Sequence, residues 1–197
     1  MNSEQPPPLT SVSNGARVIR EWVTVLVVAL VIAVTVRSLI LQQFYISGPS
    51  MEATMFQDNR VLVNKLSYRL HDIHRGDVVV FDRVTVDGEI VQHDDLIKRV
   101  IALGGETISI KDCKVFVDGV LLEESYLNDY DLAQSAFEDR CRVPTMEDLV
   151  VPENQLFVMG DNRPQSFDSR MFGPIEQSLV VGRAFVIIWP FSAAKFL

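Results

Sequence analysis

Apolar positions run without a charged residue from Trp22 to Val36 and resume at Leu39-Ile40-Leu41 after Arg37. Trp22 to Leu41 is 20 residues; as an α-helix that is about 30 Å, the thickness of a bilayer's hydrocarbon core. Arg37 near one end can snorkel its guanidinium to the headgroups. Beyond this run the pattern changes to period two, in short β-rich stretches. They are Gln43–Ile46, Arg60–Asn64, Asp77–Arg83, Leu96–Leu103, Glu106–Ile110, Val115–Val117, Gln155–Met159 and Val180–Trp189. Turn signals separate them, among them Arg75-Gly76-Asp77, Asp87-Gly88, Gly104-Gly105, Asp118-Gly119 and Phe172-Gly173-Pro174. Many closely spaced short strands predict antiparallel sheets, not βαβ units. Asn128–Phe137 alone in the body reads as helical, inside a polar stretch of roughly 123–148 that predicts a small inserted lobe or long hairpin. The expected organisation is a disordered cytoplasmic tail over 1–17, a transmembrane helix over 18–41 and a mostly β domain over 42–197.

Arg17 and Arg20 before an apolar run also fit a cleavable signal peptide. Ala33-Val34-Thr35 is a poor cleavage site and Arg37 follows at once, so a retained anchor is favoured. The two N-terminal arginines against Arg37 place the N-terminus inside and the body on the extracytoplasmic face of the cytoplasmic membrane. Residues 47–197 carry 15 Lys and Arg against 24 Asp and Glu, a net charge of −9. Such a body repels phosphate backbones, which excludes nucleic acid as an expected partner and leaves the lipid bilayer as one. Cys113 and Cys141 suit an oxidising compartment. The residues leave open whether they form a disulfide or stay as two thiols.

Ser50 stands about ten residues beyond the apolar helix, in Gly48-Pro49-Ser50-Met51. A serine hydroxyl becomes a nucleophile only when a base takes its proton. The three histidines, His71, His74 and His93, all lie among charged residues, as solvated loop histidines do, and none reads as a triad member. His71 and His74 are also too few for a metal site, and no metal is expected. Lys98, in Leu96-Ile97-Lys98-Arg99-Val100-Ile101, is the stronger base. Free lysine titrates near 10.4, so lowering it by about three units takes roughly 4 kcal/mol of destabilisation of the ammonium. Burial among apolar side chains supplies effects of that size. On a strand, Leu96 and Val100 share the face of Lys98 while Arg99 points away. A lysine snorkelling from an edge strand explains the same residues as well. A third constellation, Gly160-Asp161-Asn162-Arg163-Pro164-Gln165-Ser166-Phe167-Asp168-Ser169-Arg170, reads as a polar turn-rich loop or as a network that aims a neutral amine. In the second reading Ser166 or Ser169 accepts the amine's bond and Asp168 pairs with Arg170.

Together these stretches resemble the bacterial type I signal peptidase (leader peptidase) family of membrane-anchored Ser–Lys endopeptidases. Gly48-Pro49-Ser50-Met51-Glu52-Ala53-Thr54-Met55 is similar to the family's Gly-x-Ser-Met-x-Pro-Thr nucleophile box. Arg75-Gly76-Asp77-Val78-Val79-Val80-Phe81 resembles the strand after its turn, and Ile97 to Glu106 resembles its general-base box. Gly160-Asp161-Asn162-Arg163 through Gly173 is similar to its Gly-Asp-Asn-Arg box, and Trp189-Pro190 to its closing strand. The resemblance implies an antiparallel β catalytic domain behind one transmembrane helix. It implies Ser50 as nucleophile, Lys98 as base and then acid, and the Ser50 backbone amide in the oxyanion hole. Ser166 would hydrogen-bond the Lys98 amine, with Asp161, Asp168 and Arg170 in the supporting network. Phe44, Ile46, Met51, Leu96 and Ile97 would shape shallow apolar pockets. The substrates would be secreted preproteins, cut after a small-x-small motif at the end of the signal peptide, with no cofactor.

Three positions depart from the family pattern. Ala53 stands where proline is usual, which implies a less rigid turn. Gly48 stands where some members carry a serine hydroxyl for the oxyanion hole, and Pro49 has no amide hydrogen. Gly104 precedes Gly105 where proline is common. Two other functions fit parts of the sequence. A self-cleaving Ser–Lys protein shares the dyad but carries no such anchor. A non-enzymatic anchored binding domain would leave Ser50 and Lys98 incidental.

Overall fold

The computed structural model describes residues 13–88, 90–127 and 141–197. It divides into two compact units, Met1–Ile40 and Leu41–Leu197. The first is helix α1, Ser13–Leu39. Its Gly15–Val36 stretch is long and apolar enough to cross a membrane, and all of it is exposed. Thr24 and Thr35 interrupt the apolar surface without stranding a hydroxyl, because each donates to the carbonyl four residues earlier (Arg20 and Val31) at 2.8 Å. The helix starts before the expected boundary. Residues 13–17, read as tail, are helical, and an Arg17–Glu21 pair at 3.2 Å braces that first turn. The rest of the expected tail lies outside the described residues, as does the expected helix at Asn128–Phe137.

The second unit is antiparallel β throughout its described strands, as the period-two runs predict. The larger sheet contains β1 (Leu41–Tyr45), β2 (Arg60–Asn64), β3 (Val78–Asp87), β4 (Ile90–Leu103), β9 (Gln155–Met159), β10 (Ile175–Glu176), β11 (Val180–Trp189) and β12 (Lys195–Phe196). Its spatial order is β1-β2-β11-β3-β4-β9-β10, with β12 added to β11. The smaller sheet, in order β7-β6-β5-β8, comprises β5 (Thr107–Lys111), β6 (Lys114–Val117), β7 (Val120–Leu121) and β8 (Met146–Val150). Two short helices, α2 (Ser67–Leu70) and α3 (Ser169–Phe172), punctuate the loops.

Alternation along β3 explains why its centre is apolar at every position. Val78 and Val80 enter one cluster with Met51, Met55, Val61 and Ile187. Val79 and Phe81 enter another with Val100, Leu156 and Val158. Both faces are therefore covered at the strand that pairs with the Lys98 segment, where Val79 lies opposite Lys98. Between Val100 and Ala102 the β4–β9 register shifts. Ile101 and Ala102 then both join a third cluster with Phe157 and the small sheet's Ile108, Ile110, Val115 and Val117. Such a bulge re-aims a strand; here it lets β4 serve both sheets. Cys113, in the β5–β6 turn, is bonded to Cys141.

Candidate active site

Ser50 lies in a one-turn 3-10 segment, Pro49–Met51. Proline at its first position presets the backbone, and the Glu52 amide donates to the Pro49 carbonyl at 3.0 Å. Met51, in the turn, and Met55, just after it, anchor it by full burial in the core shared with β2, β3 and β11. Ala53 has φ 89°. The expectation of a merely less rigid turn is corrected here: a proline ring holds φ near −65° and cannot adopt this backbone.

Lys98 projects from β4 with 3% of its surface exposed. Its Nζ lies 2.7 Å from Ser50 Oγ and 2.9 Å from the Ile97 carbonyl. Burial lowers its pKa from 10.5 to about 8, against the smaller opposing pull of the Asp168 and Asp161 carboxylates. The edge-strand alternative fails, because β4 has β3 on one side and β9 on the other.

The loop after β9 backs the pair. Gly160 has no room for a side chain: a Cβ there would lie 2.3 Å from the Ser50 carbonyl oxygen and 2.3 Å from Ser166 Oγ. The Asn162 amide donates to the Ser50 carbonyl at 3.0 Å, and its Nδ2 donates to the Pro49 carbonyl at 3.0 Å. The Asp168 carboxylate accepts from the Gly160 amide at 3.0 Å and from Arg170 Nε and Nη2 at 2.8 Å each. Burial pushes the Asp168 pKa up, but these charge-assisted bonds outweigh it and hold the carboxyl below its ordinary value. Arg170 also donates to the Arg163 and Cys141 carbonyls.

Asp161 and Lys98 make no direct bond. The Asp161 partner is Arg99, the residue that sequence alternation turns away from the lysine. Arg99 donates to it through Nε at 2.9 Å and Nη2 at 2.6 Å, and through Nη1 to the Gly76 carbonyl at 2.8 Å. Thr54 Oγ1 adds a bond to Asp161 at 2.5 Å. Thr54 and Asn162 join these bonds, and Arg163, whose Nε donates to the Gly160 carbonyl at 3.1 Å, pairs in turn with Glu124. The resemblance put Arg99 and Asn162 inside its boxes without giving either a role. Nothing in the polar stretch marked Glu124.

Two expectations are corrected. Ser166 is completely buried beside Gly160, but the Lys98 amine donates to the Ile97 carbonyl and not to its hydroxyl, which lies toward the Asp168 carboxylate. The five pocket residues do not form one surface. Met51 and Ile46 are core, with Phe44 and Ile97 half-buried against them, while Leu96 packs on the other cluster. The histidines remain peripheral: His71, His74 and His93 are exposed, and His93 pairs with Asp82 at 2.7 Å. No group of three or more metal-binding side chains occurs among the described residues.

The sequence profile described as signal peptidase, peptidase S26, matches residues 19–189. The chain belongs to this signal peptidase family. The chain is 38% identical to signal peptidase I V of Bacillus subtilis over 83% of its own length and 95% of that protein. It is 34% identical to the probable signal peptidase I-2 of a Synechocystis strain, covering 95% of this chain and 77% of the relative. Signal peptidase IB of Staphylococcus aureus is 34% identical, over 89% and 92% of the two chains. A crystal structure of a signal peptidase I from Enterococcus faecalis V583 aligns at 32% identity over 57% of this chain and 97% of that one, with a TM-score of 0.44. As a signal peptidase, the chain is a membrane-anchored serine endopeptidase with a mostly antiparallel β body.

Proposed function

We propose that this chain removes signal peptides from secreted preproteins with Ser50 as nucleophile and Lys98 as its base. The observation that carries the reading is the 2.7 Å approach of Lys98 Nζ to Ser50 Oγ in surroundings dry enough to bring the amine to about 8. At pH 7 about a tenth of such lysines are unprotonated, against fewer than one in a thousand for a free side chain. As Ser50 Oγ attacks the scissile carbonyl, its proton passes to Lys98 Nζ, and the new ammonium then protonates the departing amine. The neutral lysine next takes a proton from the water that hydrolyses the acyl-enzyme. The Ser50 backbone amide donates to the developing oxyanion.

Small side chains before the cleaved bond would meet half-buried Phe44 and Ile97, which offer little depth beyond the closed core beneath them. The body is placed outside the cytoplasmic membrane, N-terminus inside. The arginine asymmetry around α1 and the Cys113–Cys141 bond both support this. Tyr45 and Trp189 flank Arg60 across β1, β2 and β11, and both are exposed, as is neighbouring Phe191. Aromatic side chains of this kind settle at headgroup depth. Confining enzyme and substrate helix to one bilayer raises their effective concentration.

The test is incubation of the purified full chain with a preprotein bearing Ala-x-Ala before its mature sequence. Wild type should release the signal peptide, while Ser50→Ala and Lys98→Ala should remain folded and inactive. Cleavage surviving in Ser50→Ala would end the reading of Ser50 as the nucleophile.

A further inference from the structure

Glu124 has no part in the reaction described above, yet its side chain is largely withdrawn from water, 11% exposed. Its carboxylate pairs with Arg163, Nη1 to Oε2 at 2.9 Å with Nη2 on the other oxygen. Arg163 is itself buried, and its Nε donates to the Gly160 carbonyl at 3.1 Å. Gly160 is the residue whose α-carbon is wedged between the Ser50 carbonyl and Ser166. Two residues after Glu124, the Tyr126 hydroxyl donates to Glu124 Oε1 at 2.7 Å. The Tyr126 ring meanwhile lies 4.0 Å from the Arg99 guanidinium, and Arg99 holds Asp161. Glu124 and Tyr126 therefore reach neighbouring residues of the loop through two arginines, Arg163 at the Gly160 carbonyl and Arg99 at the Asp161 carboxylate.

We propose that Glu124 is a positioning residue for peptide cleavage, acting through Arg163 on Gly160 and so on the Ser50 turn. This rests on Ser50 being the nucleophile. Without Glu124 the buried Arg163 guanidinium keeps no paired carboxylate among the described residues, and a buried charge left so turns toward water. Here it would take the Gly160 bond with it and loosen the wedge behind Ser50. Glu124 meets neither nucleophile nor base, so its loss should slow the chemical step without changing substrate binding.

The experiment measures kcat and KM for the full-length chain in detergent on an Ala-x-Ala preprotein, well below each variant's melting midpoint. Glu124→Gln should lower kcat by about 10²-fold, the scale of a misplacement near 1 Å. Its KM should stay within about threefold of wild type, and Glu124→Asp, which restores a charge beside Arg163, should recover about tenfold of the loss. A Glu124→Gln kcat within about twofold of wild type, a loss confined to KM, or no recovery in Glu124→Asp would overturn the assignment. Should Glu124→Gln not fold, Tyr126→Phe decides. It keeps the ring on Arg99 and removes only the bond to Glu124, so a severalfold fall in kcat supports the inference and an unchanged kcat overturns it. Failure of the nucleophile reading would look different, since cleavage would then persist in Ser50→Ala.

Discussion

Lys98 Nζ lies 2.7 Å from Ser50 Oγ, although 48 positions separate them along the chain. Three elements create that approach: the 3-10 turn fixed by Met51 and Met55, strand β4 flanked on both sides, and the Gly160 wedge behind the serine. The amine's burial brings its pKa to about 8. If this group must be neutral to act, kcat/KM should rise tenfold per pH unit below about 8 and level off above it. A pH–rate profile on a peptide substrate without ionisable side chains checks this. A flat profile between pH 6 and 9 would exclude Lys98 as the titrating base.

The same burial has a stability consequence. The folded pKa of Lys98, about 8, lies below its ordinary 10.5. Below pH 8 both folded and unfolded chains carry the proton, and the cost of a buried ammonium is felt in full. Between 8 and 10.5 only the unfolded chain holds the proton, so stability rises with pH and the cost vanishes above that window. Lys98→Met should therefore stabilise the inactive protein at pH 7 by up to about 3 kcal/mol, the equivalent of two to three pKa units. The gain should disappear above pH 10.5. Urea melts at pH 7 and pH 10.5 measure it, and a destabilised Lys98→Met at pH 7 would contradict a desolvated lysine.

Much of this architecture was legible in the sequence because it rests on local pattern. The apolar run gave α1, and each of the eight period-two runs overlaps a strand of the body. Arg60–Asn64, Gln155–Met159 and Val180–Trp189 match strands end to end. The outer part of the β3–β4 hairpin was legible only as the Asp87-Gly88 turn, because residues 91–95 are exposed and mix charge and polarity without a buried stripe. In the site, Ser50 and Lys98 stood out by their surroundings. Arg99 and Glu124 did not, because what gives each its role is a partner 62 or 39 residues away. Ser166 shows the converse: its hydroxyl lies against Gly160, and a motif in the sequence does not fix which partner a buried hydroxyl takes.

Gly160 and Gly48 make a matched test of the wedge. A methyl group at Gly160 would meet the Ser50 carbonyl oxygen at 2.3 Å, and a backbone atom cannot rotate aside. At Gly48 nothing lies within 4 Å of the same added atom, and its φ of −133° suits any residue. Gly160→Ala should cost about 1–3 kcal/mol, as overpacking does, and should displace Ser50 enough to remove most activity. Gly48→Ala should change stability by less than about 0.5 kcal/mol. Thermal melts of the two variants, compared side by side, decide whether backbone crowding behind the serine is real.

The disulfide reaches the same site from the small sheet. Cys113 and Cys141 close a 28-residue separation, and the Cys141 carbonyl accepts from Arg170 Nη1 at 2.5 Å. Arg170 in turn holds Asp168, whose carboxylate takes the Gly160 amide. Reducing the bond frees a loop whose closure is worth about 3–4 kcal/mol in the chain-entropy model. It also releases the segment that presents the Cys141 carbonyl. Treatment with a phosphine reductant should lower the melting midpoint, and Cys113→Ser with Cys141→Ser should reproduce that shift. Activity should fall in both cases at temperatures where the protein stays folded, because an Arg170 with one acceptor fewer holds Asp168 less firmly. A reduced enzyme that melts earlier but cleaves at the wild-type rate would confine the disulfide's influence to the small sheet.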